Sequence, residues 1–147
     1  MDIVISGAGI SGLTLSHLLQ RDGHKTTIVE KSPSLREDGY MMDFFGTGYD
    51  VAEKLGLLND LERIHYPIPR LAFIDPRGRE QVAVNYNDIR KLFNGRHFNF
   101  MRGDLERLLY SRVSDDVDIR FGTTIKSLQQ NARELGPGTA GSTNESD

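Results

Sequence analysis

Cysteine is absent from the 147 residues, which removes disulfides, thiolate metal sites and cysteine nucleophiles and fits a reducing compartment. No apolar run approaches the roughly 20 residues that a membrane span needs. Met1-Asp2-Ile3 runs straight toward a glycine-rich turn, without the basic start of a secretory leader. The expectation is a cytoplasmic protein with no membrane span. Clusters of Lys and Arg are lacking as well: the formal charge is -3 and acids and bases are interspersed, so no nucleic-acid partner is expected. His17, His24, His65 and His97 share no ligand spacing, which argues against a metal site. Neither Ser6 nor Ser11 lies in a nucleophile-elbow pattern. What remains is one domain's worth of chain with ordinary apolar content, enough to bury a core.

Ile3-Val4-Ile5 is a short β-branched run that stops at Ser6-Gly7 and reads as a buried strand. Leu13, Leu15, Leu18 and Leu19 mark a helix from Ser11 to about Asp22, closed by Gly23. Lys25 to Glu30 is a second β-branched strand, which completes a βαβ unit. Ser32-Pro33-Ser34 signals a loop. A helix is expected from Thr47, where Thr47 and Asp50 have capping-box-like spacing and Val51, Leu55 and Leu58 share a face. Leu71 to Val84 reads as a β-hairpin turning at Asp75-Pro76-Arg77-Gly78. Leu105, Leu108, Leu109 and Val113 mark another amphipathic helix, and Val117, Ile119 and Phe121 alternate with charge as in a half-buried strand. His97, Phe98 and Phe100 are expected in the core. A last strand is expected from Thr123 to about Leu128. Residues 131–147, rich in Gly, Ser, Thr and Asn, read as a disordered polar tail after a domain spanning 1–130. A strand at 123–128 lacks an antiparallel partner, so the chain reads as truncated; a flexible tail on a complete small domain is the other reading.

Gly7-Ala8-Gly9-Ile10-Ser11-Gly12 is G-x-G-x-x-G between a strand and a helix, with Glu30 at the end of the next strand. Gly7 permits the tight turn, Gly9 lets a pyrophosphate approach the backbone, and Gly12 lets helix and sheet pack. The helix start, at Ile10 and Ser11, offers N–H groups to phosphates. A carboxylate at Glu30 accepts from ribose hydroxyls and disfavours a 2′-phosphate. These residues point to a Rossmann-type site for an ADP-containing cofactor, FAD or NAD, without separating the two.

The stretch Ile3–Lys31, with Arg36, Gly39, Gly46 and the Arg102-Gly103-Asp104-Leu105 to Leu109 helix start, resembles the class A FAD-dependent monooxygenases. That family holds the p-hydroxybenzoate hydroxylase-like aromatic hydroxylases and the tetracycline-inactivating monooxygenases. The resemblance implies an α/β FAD-binding domain whose hairpin at 71–86 belongs to a substrate-side sheet. It implies FAD as cofactor, NAD(P)H as reductant, and transfer of one oxygen atom through a flavin hydroperoxide to a small aromatic or electron-rich substrate. By that resemblance Glu30 binds the FAD ribose, Lys31 lies beside the adenosine, and Arg36 lies near the phosphate or ribityl region. Met41, Met42 and Asp43 approach the flavin ring, Arg102 reaches back to the cofactor, and Ile125 sits near the adenine through its backbone.

Plainer roles stand beside these. Arg102 can neutralise a carboxylate, Arg36 can belong to a solvated cluster with Glu37 and Asp38, and Met41 and Met42 can fill core gaps. The family's later Gly-Asp and Asp-Gly motifs find no match here. Two other functional readings therefore stay open: a non-catalytic remnant with weak or no nucleotide binding, and a small NAD-binding dehydrogenase domain. The hairpin counts against the latter, because a simple dehydrogenase continues with another strand–helix unit. Substrate, nicotinamide preference and oligomeric state are not legible.

Overall fold

A computed structural model describes residues 1–36, 39–113, 115–129 and 142–143. Its contacts divide the chain into one unit of Met1–Asp38 with Glu106–Asp147 and a second of Gly39–Leu105.

The first unit is built on a parallel sheet. Strand β1 (Asp2–Ser6) feeds helix α1 (Ile10–Arg21), and the chain returns as β2 (Lys25–Glu30) beside β1 in parallel register, Ile5 opposite Ile28. This is the expected βαβ unit. The β-branched residues of β2 serve a strand covered on both faces: Thr26, Ile28 and Val29 are all buried. Helix α1 buries Leu13 and Ser16, while Leu15 and Leu18 are exposed. Its end is closed by the Gly23 and His24 N–H groups, which donate to the Gln20 and Leu19 carbonyls at 2.9 Å each. A third strand, Asp118–Phe121, lies parallel on the other side of β2, with Ile119 opposite Ile28.

The expected strand at 123–128 forms only at its end. Residues 123–127 have no regular structure, because the Thr123 N–H is spent on the Glu30 carbonyl and the Gly122 N–H on that of Ser32, both at 2.9 Å. The pairing that does form joins Leu128–Gln129 to Ser142–Thr143, antiparallel. Those two residues are the only part of the 131–147 tail among the described residues, and the expectation of disorder otherwise lies outside them.

The second unit contains two antiparallel pairs. Strand β3 (Met41–Phe45) pairs with His97–Met101, Asp43 facing Asn99. One face of that pair is apolar, with Phe44 and Phe100 ring centroids 5.2 Å apart and Phe98 stacked on Tyr49. The expected burial of His97, Phe98 and Phe100 is observed. The hairpin forms as read, Arg70–Ile74 against Glu80–Asn85, with the Gly78 N–H donating to the Asp75 carbonyl at 2.9 Å. The Asp75 carboxylate also accepts the Arg77 and Arg79 N–H groups, an Asx-type closure.

Helix α2 (Thr47–Lys54) starts where expected, but Thr47 is its first helical residue rather than its cap. Gly46 takes the cap position without a side-chain bond, and Asp50 is turned outward to Arg96 at 2.7 Å, so no capping box exists. The face read as Val51, Leu55 and Leu58 is broken, because a new helix, α3 (Leu58–Ile64), begins after Gly56 and the buried positions are Ala52, Leu57 and Leu61. A further helix, α4 (Tyr86–Leu92), is capped by the Asn85 side chain on the Asn87 N–H at 2.9 Å. The division between the units falls inside α5 (Arg102–Ser111), whose Leu105 and Leu109 are buried and whose Leu108 is half-buried.

Candidate functional site

The turn between β1 and α1 is shaped by sterics that only glycine meets at two places. Gly7 has φ +105°, and its N–H donates to the Val29 carbonyl at 2.7 Å. A Cβ on Gly12 would lie 2.0 Å from the Gly7 carbonyl oxygen, a backbone overlap that no rotamer relieves. Gly9 differs: a Cβ there would meet only the Glu106 Oε1, at 3.5 Å. Helix α1 begins at Ile10, with Gly9 as a cap that supplies no side-chain bond and with no acid in the first turn. Among the described residues no side chain caps this start, which leaves its N–H groups and dipole to an anion.

Glu30 is held over this turn. Its Oε2 accepts the Ala8 N–H and its Oε1 the Ser32 N–H, each at 2.8 Å. The Ser32 backbone bond, with that of Ala8 and the positive charge of Arg36, holds the Glu30 carboxyl below its ordinary range against the opposing effect of partial burial. The group is therefore ionised at neutral pH and oriented before any ligand arrives. Each oxygen keeps lone-pair capacity for a hydroxyl donor, since one N–H satisfies only part of it. An ADP moiety fits this arrangement: helix-start N–H groups for the pyrophosphate, a glycine at position 9 that adds no side chain of its own, and a fixed carboxylate for the ribose.

Of the other residues singled out by sequence, Ser11 and Lys31 are exposed, and Arg36 acts electrostatically on Glu30. Glu37 and Asp38, its sequence neighbours, lie outside the described residues. Ile125 is half-buried in the stretch that follows the Thr123–Glu30 bond. Thus Gly7, Gly9, Ile10, Ser11, Gly12, Glu30, Lys31, Arg36 and Ile125 share the first unit.

Asp43 and Arg102 belong to the second. Arg102 opens α5, where its N–H donates to the Tyr40 carbonyl at 3.0 Å and where a Cβ on Gly39 would lie 3.2 Å from the Arg102 Cβ. Asp43 gathers a polar cluster on one face of the β3 sheet. It accepts from the Tyr86 hydroxyl at 3.1 Å, from His97 Nε2 at 3.1 Å and from Asn99 Nδ2. Burial, followed by the bond to Asp43, pushes the Tyr86 phenol above its ordinary value. Met42 is half-buried and Met41 exposed on this strand.

Sequence reasoning missed the Tyr86–His97–Asn99 shell around Asp43 and the burial of Glu106 beside Gly9. Polar residues alternating with Phe98 and Phe100 were the one available signal for the shell. For Glu106 the signal was its place between Leu105 and Leu109 on a helix.

The sequence matches the FAD binding domain family over residues 1–146. It is 34% identical over 134 residues to the flavin-dependent monooxygenase eupH of Phoma sp, covering 88% of this chain and 31% of that protein. It is 28% identical over 133 residues to the FAD-dependent monooxygenase asL4 of Sarocladium schorii, again covering 88% and 31%. The chain thus spans about a third of the length of these curated relatives. Among solved structures, the tetracycline destructase Tet(55) superposes with a TM-score of 0.73 at 26% identity, covering 87% of this chain and 31% of that one. Klebsiella pneumoniae HpxO, solved with FAD and uric acid, shares the fold at a TM-score of 0.69 and 21% identity, covering 90% and 33%.

Proposed function

We propose a function on one premise: the chain belongs to the FAD binding domain family, whose match takes in residues 1–146. Its cofactor is FAD. The proposal is that the chain is the FAD-binding part of a flavin-dependent monooxygenase that oxygenates a small aromatic or electron-rich molecule at the expense of NAD(P)H. When bound, FAD supplies the redox chemistry, and the polypeptide supplies affinity, orientation and exclusion of water.

In this reading the N–H groups of Ile10 and Ser11 take the pyrophosphate, Gly9 gives it room, and Gly7 and Gly12 keep the turn in shape. Glu30 accepts from the adenosine ribose hydroxyls, and Lys31 and Ile125 flank the adenosine. Arg36 balances the phosphate or ribityl charge, Arg102 reaches the cofactor from the start of α5, and Asp43 faces the flavin ring. The proposed domain boundaries are 1–130 for FAD binding, with a polar tail at 131–147. The relatives' monooxygenase names support the reaction class.

The observation that carries the proposal is the Glu30 carboxylate, fixed by the Ala8 and Ser32 N–H groups directly above an uncapped helix start. Titration of the chain with FAD, followed by flavin fluorescence and visible absorption, tests it. Saturable FAD uptake that Glu30→Ala weakens by about 10- to 100-fold is expected, the range for losing hydrogen bonds to a charged acceptor. A folded chain that takes up no FAD, or a Glu30→Ala chain that binds it equally well, overturns the assignment. NAD(P)H oxidation with added FAD then separates an active chain from a binding-only one.

A further inference from the structure

Two acids border the glycine turn. A Cβ on Gly7 would lie 4.0 Å from the Glu30 Oε2, and a Cβ on Gly9 would lie 3.5 Å from the Glu106 Oε1. The first acid has a use in the proposed site, as the acceptor for the ribose hydroxyls. The second is not accounted for by that reading. Glu106 lies on α5, in the same unit as the turn, and keeps only 2% of its surface exposed. Glutamate is among the residues least often buried to that degree, because a charge taken out of water needs compensation from its surroundings.

Its position matters more than its burial. The space left by the missing Cβ of Gly9 is the space through which a pyrophosphate reaches the backbone, and Glu106 borders that space. The carboxylate is packed and engaged within the fold, so it does not rotate into water when a ligand arrives. An anion at the start of α1 gains from the N–H groups and the helix dipole, and loses to the like charge beside it. Between buried groups that repulsion is little screened by salt. It grows with the charge the ligand brings.

Ligands that share the ADP half differ in that respect. Both phosphates of FAD are esterified at their outer ends and carry a single charge each. The terminal phosphate of ADP is a monoester, with about −1.5 to −2 charges at neutral pH. We propose that Glu106 is a specificity-determining residue of the FAD site. It selects a pyrophosphate closed by an ester at both ends against free nucleoside diphosphates and triphosphates. Glu30 receives the ribose, and Glu106 discriminates by phosphate charge. The acid weakens binding of the cofactor as well, but it weakens binding of ADP or ATP more. This inference rests on the FAD reading of the glycine turn.

The test is isothermal titration calorimetry of the full chain and its Glu106→Gln variant with FAD, ADP-ribose and ADP. ADP-ribose is the matched probe, because it keeps the adenosine and pyrophosphate of ADP and adds a sugar ester on the terminal phosphate. Glu106→Gln should tighten ADP by about 10-fold and ADP-ribose by only about 3-fold, since the repulsion removed scales with ligand charge. Glu106→Met, close in length and uncharged, should act in the same direction and serves if Glu106→Gln does not fold. Equal gains for ADP and ADP-ribose, no gain, or weaker binding of both overturn the role of Glu106 while FAD binding leaves the cofactor assignment standing. A folded chain that binds none of the three ligands, with Glu106 or without it, overturns the FAD reading and this inference with it.

Discussion

Glu30, placed in the proposed FAD site, also bears on stability. Its carboxyl is held below the ordinary value of 4.5, chiefly by the Ser32 backbone bond, so its folded pKa lies below its unfolded one. Such a group stabilises the fold at pH values above the unfolded pKa, and that contribution is lost as pH falls from about 4.5 through the folded value. The Glu30→Gln chain cannot ionise at this position and should lose less stability across that window than the wild-type chain. Denaturant midpoints measured between pH 6 and pH 3 check this, and parallel pH profiles for the two chains would contradict it. The glycines divide in a similar way between fold and ligand. Gly12→Ala drives a Cβ to 2.0 Å from the Gly7 carbonyl and should cost at least ~3 kcal/mol, the upper end of ordinary overpacking. Gly9→Ala meets only the Glu106 carboxylate at 3.5 Å but puts Ala at the N-cap of α1, where it is disfavoured relative to Gly, so it should cost about 0.5–1 kcal/mol, well below Gly12→Ala. Its FAD affinity should nevertheless fall by at least 10-fold. Unfolding curves for both variants, with an FAD titration of the second, separate a packing glycine from a binding one.

At the scale of elements, α1 is tied to β2 by a polar contact inside an apolar layer. The Ser16 and Thr26 hydroxyls, both buried, lie 2.7 Å apart. Ser16→Ala leaves the Thr26 hydroxyl without its partner and should cost about 1–3 kcal/mol, whereas adding Thr26→Val to it should cost less than the sum of the two single changes. A double-mutant cycle by chemical denaturation measures the coupling, and strict additivity would show that the pair contributes nothing as a pair.

What the sequence disclosed follows from the same physics. The βαβ unit was legible because β-branched runs, a glycine turn and a leucine-marked helix agree over one short window. The hairpin was legible because Asp75-Pro76-Arg77-Gly78 is turn chemistry independent of its surroundings. Strand β3 and its partner at His97–Met101 were hidden. Their polar positions, Asp43, His97 and Asn99, satisfy one another across the sheet, and no local pattern announces a bond between residues so far apart in sequence. Helix α3 was hidden in a different way: Leu55 and Leu58 continued the periodicity of α2, and only the break at Gly56 distinguishes two short helices from one longer one. Of the proposed site, Gly7, Gly9, Gly12 and Glu30 were readable by spacing, while the backbone donors that orient Glu30 belong to Ala8 and Ser32 and depend on the turn having formed.

On the scale of the whole molecule, ligand binding and folding stability are one quantity. A ligand that binds only the folded chain stabilises it by about 2.7 kcal/mol when present at a hundred times its Kd. For a chain of this size each kcal/mol corresponds to roughly 2–4 °C in Tm, so saturating FAD should raise Tm by about 5–10 °C. NAD shares only the ADP half of that interaction and should shift Tm less at equal concentration. NADP should shift it least, because the Glu30 carboxylate repels a 2′-phosphate, and Glu30→Gln should narrow the gap between NAD and NADP. Arg102→Ala resolves the remaining question. If the arginine at the start of α5 contacts the cofactor, the FAD-induced shift shrinks in the variant, whatever its ligand-free Tm. If it serves the fold alone, the ligand-free Tm drops and the FAD-induced shift is preserved. Thermal melts of the two chains with and without FAD distinguish these outcomes, and the first is the one expected.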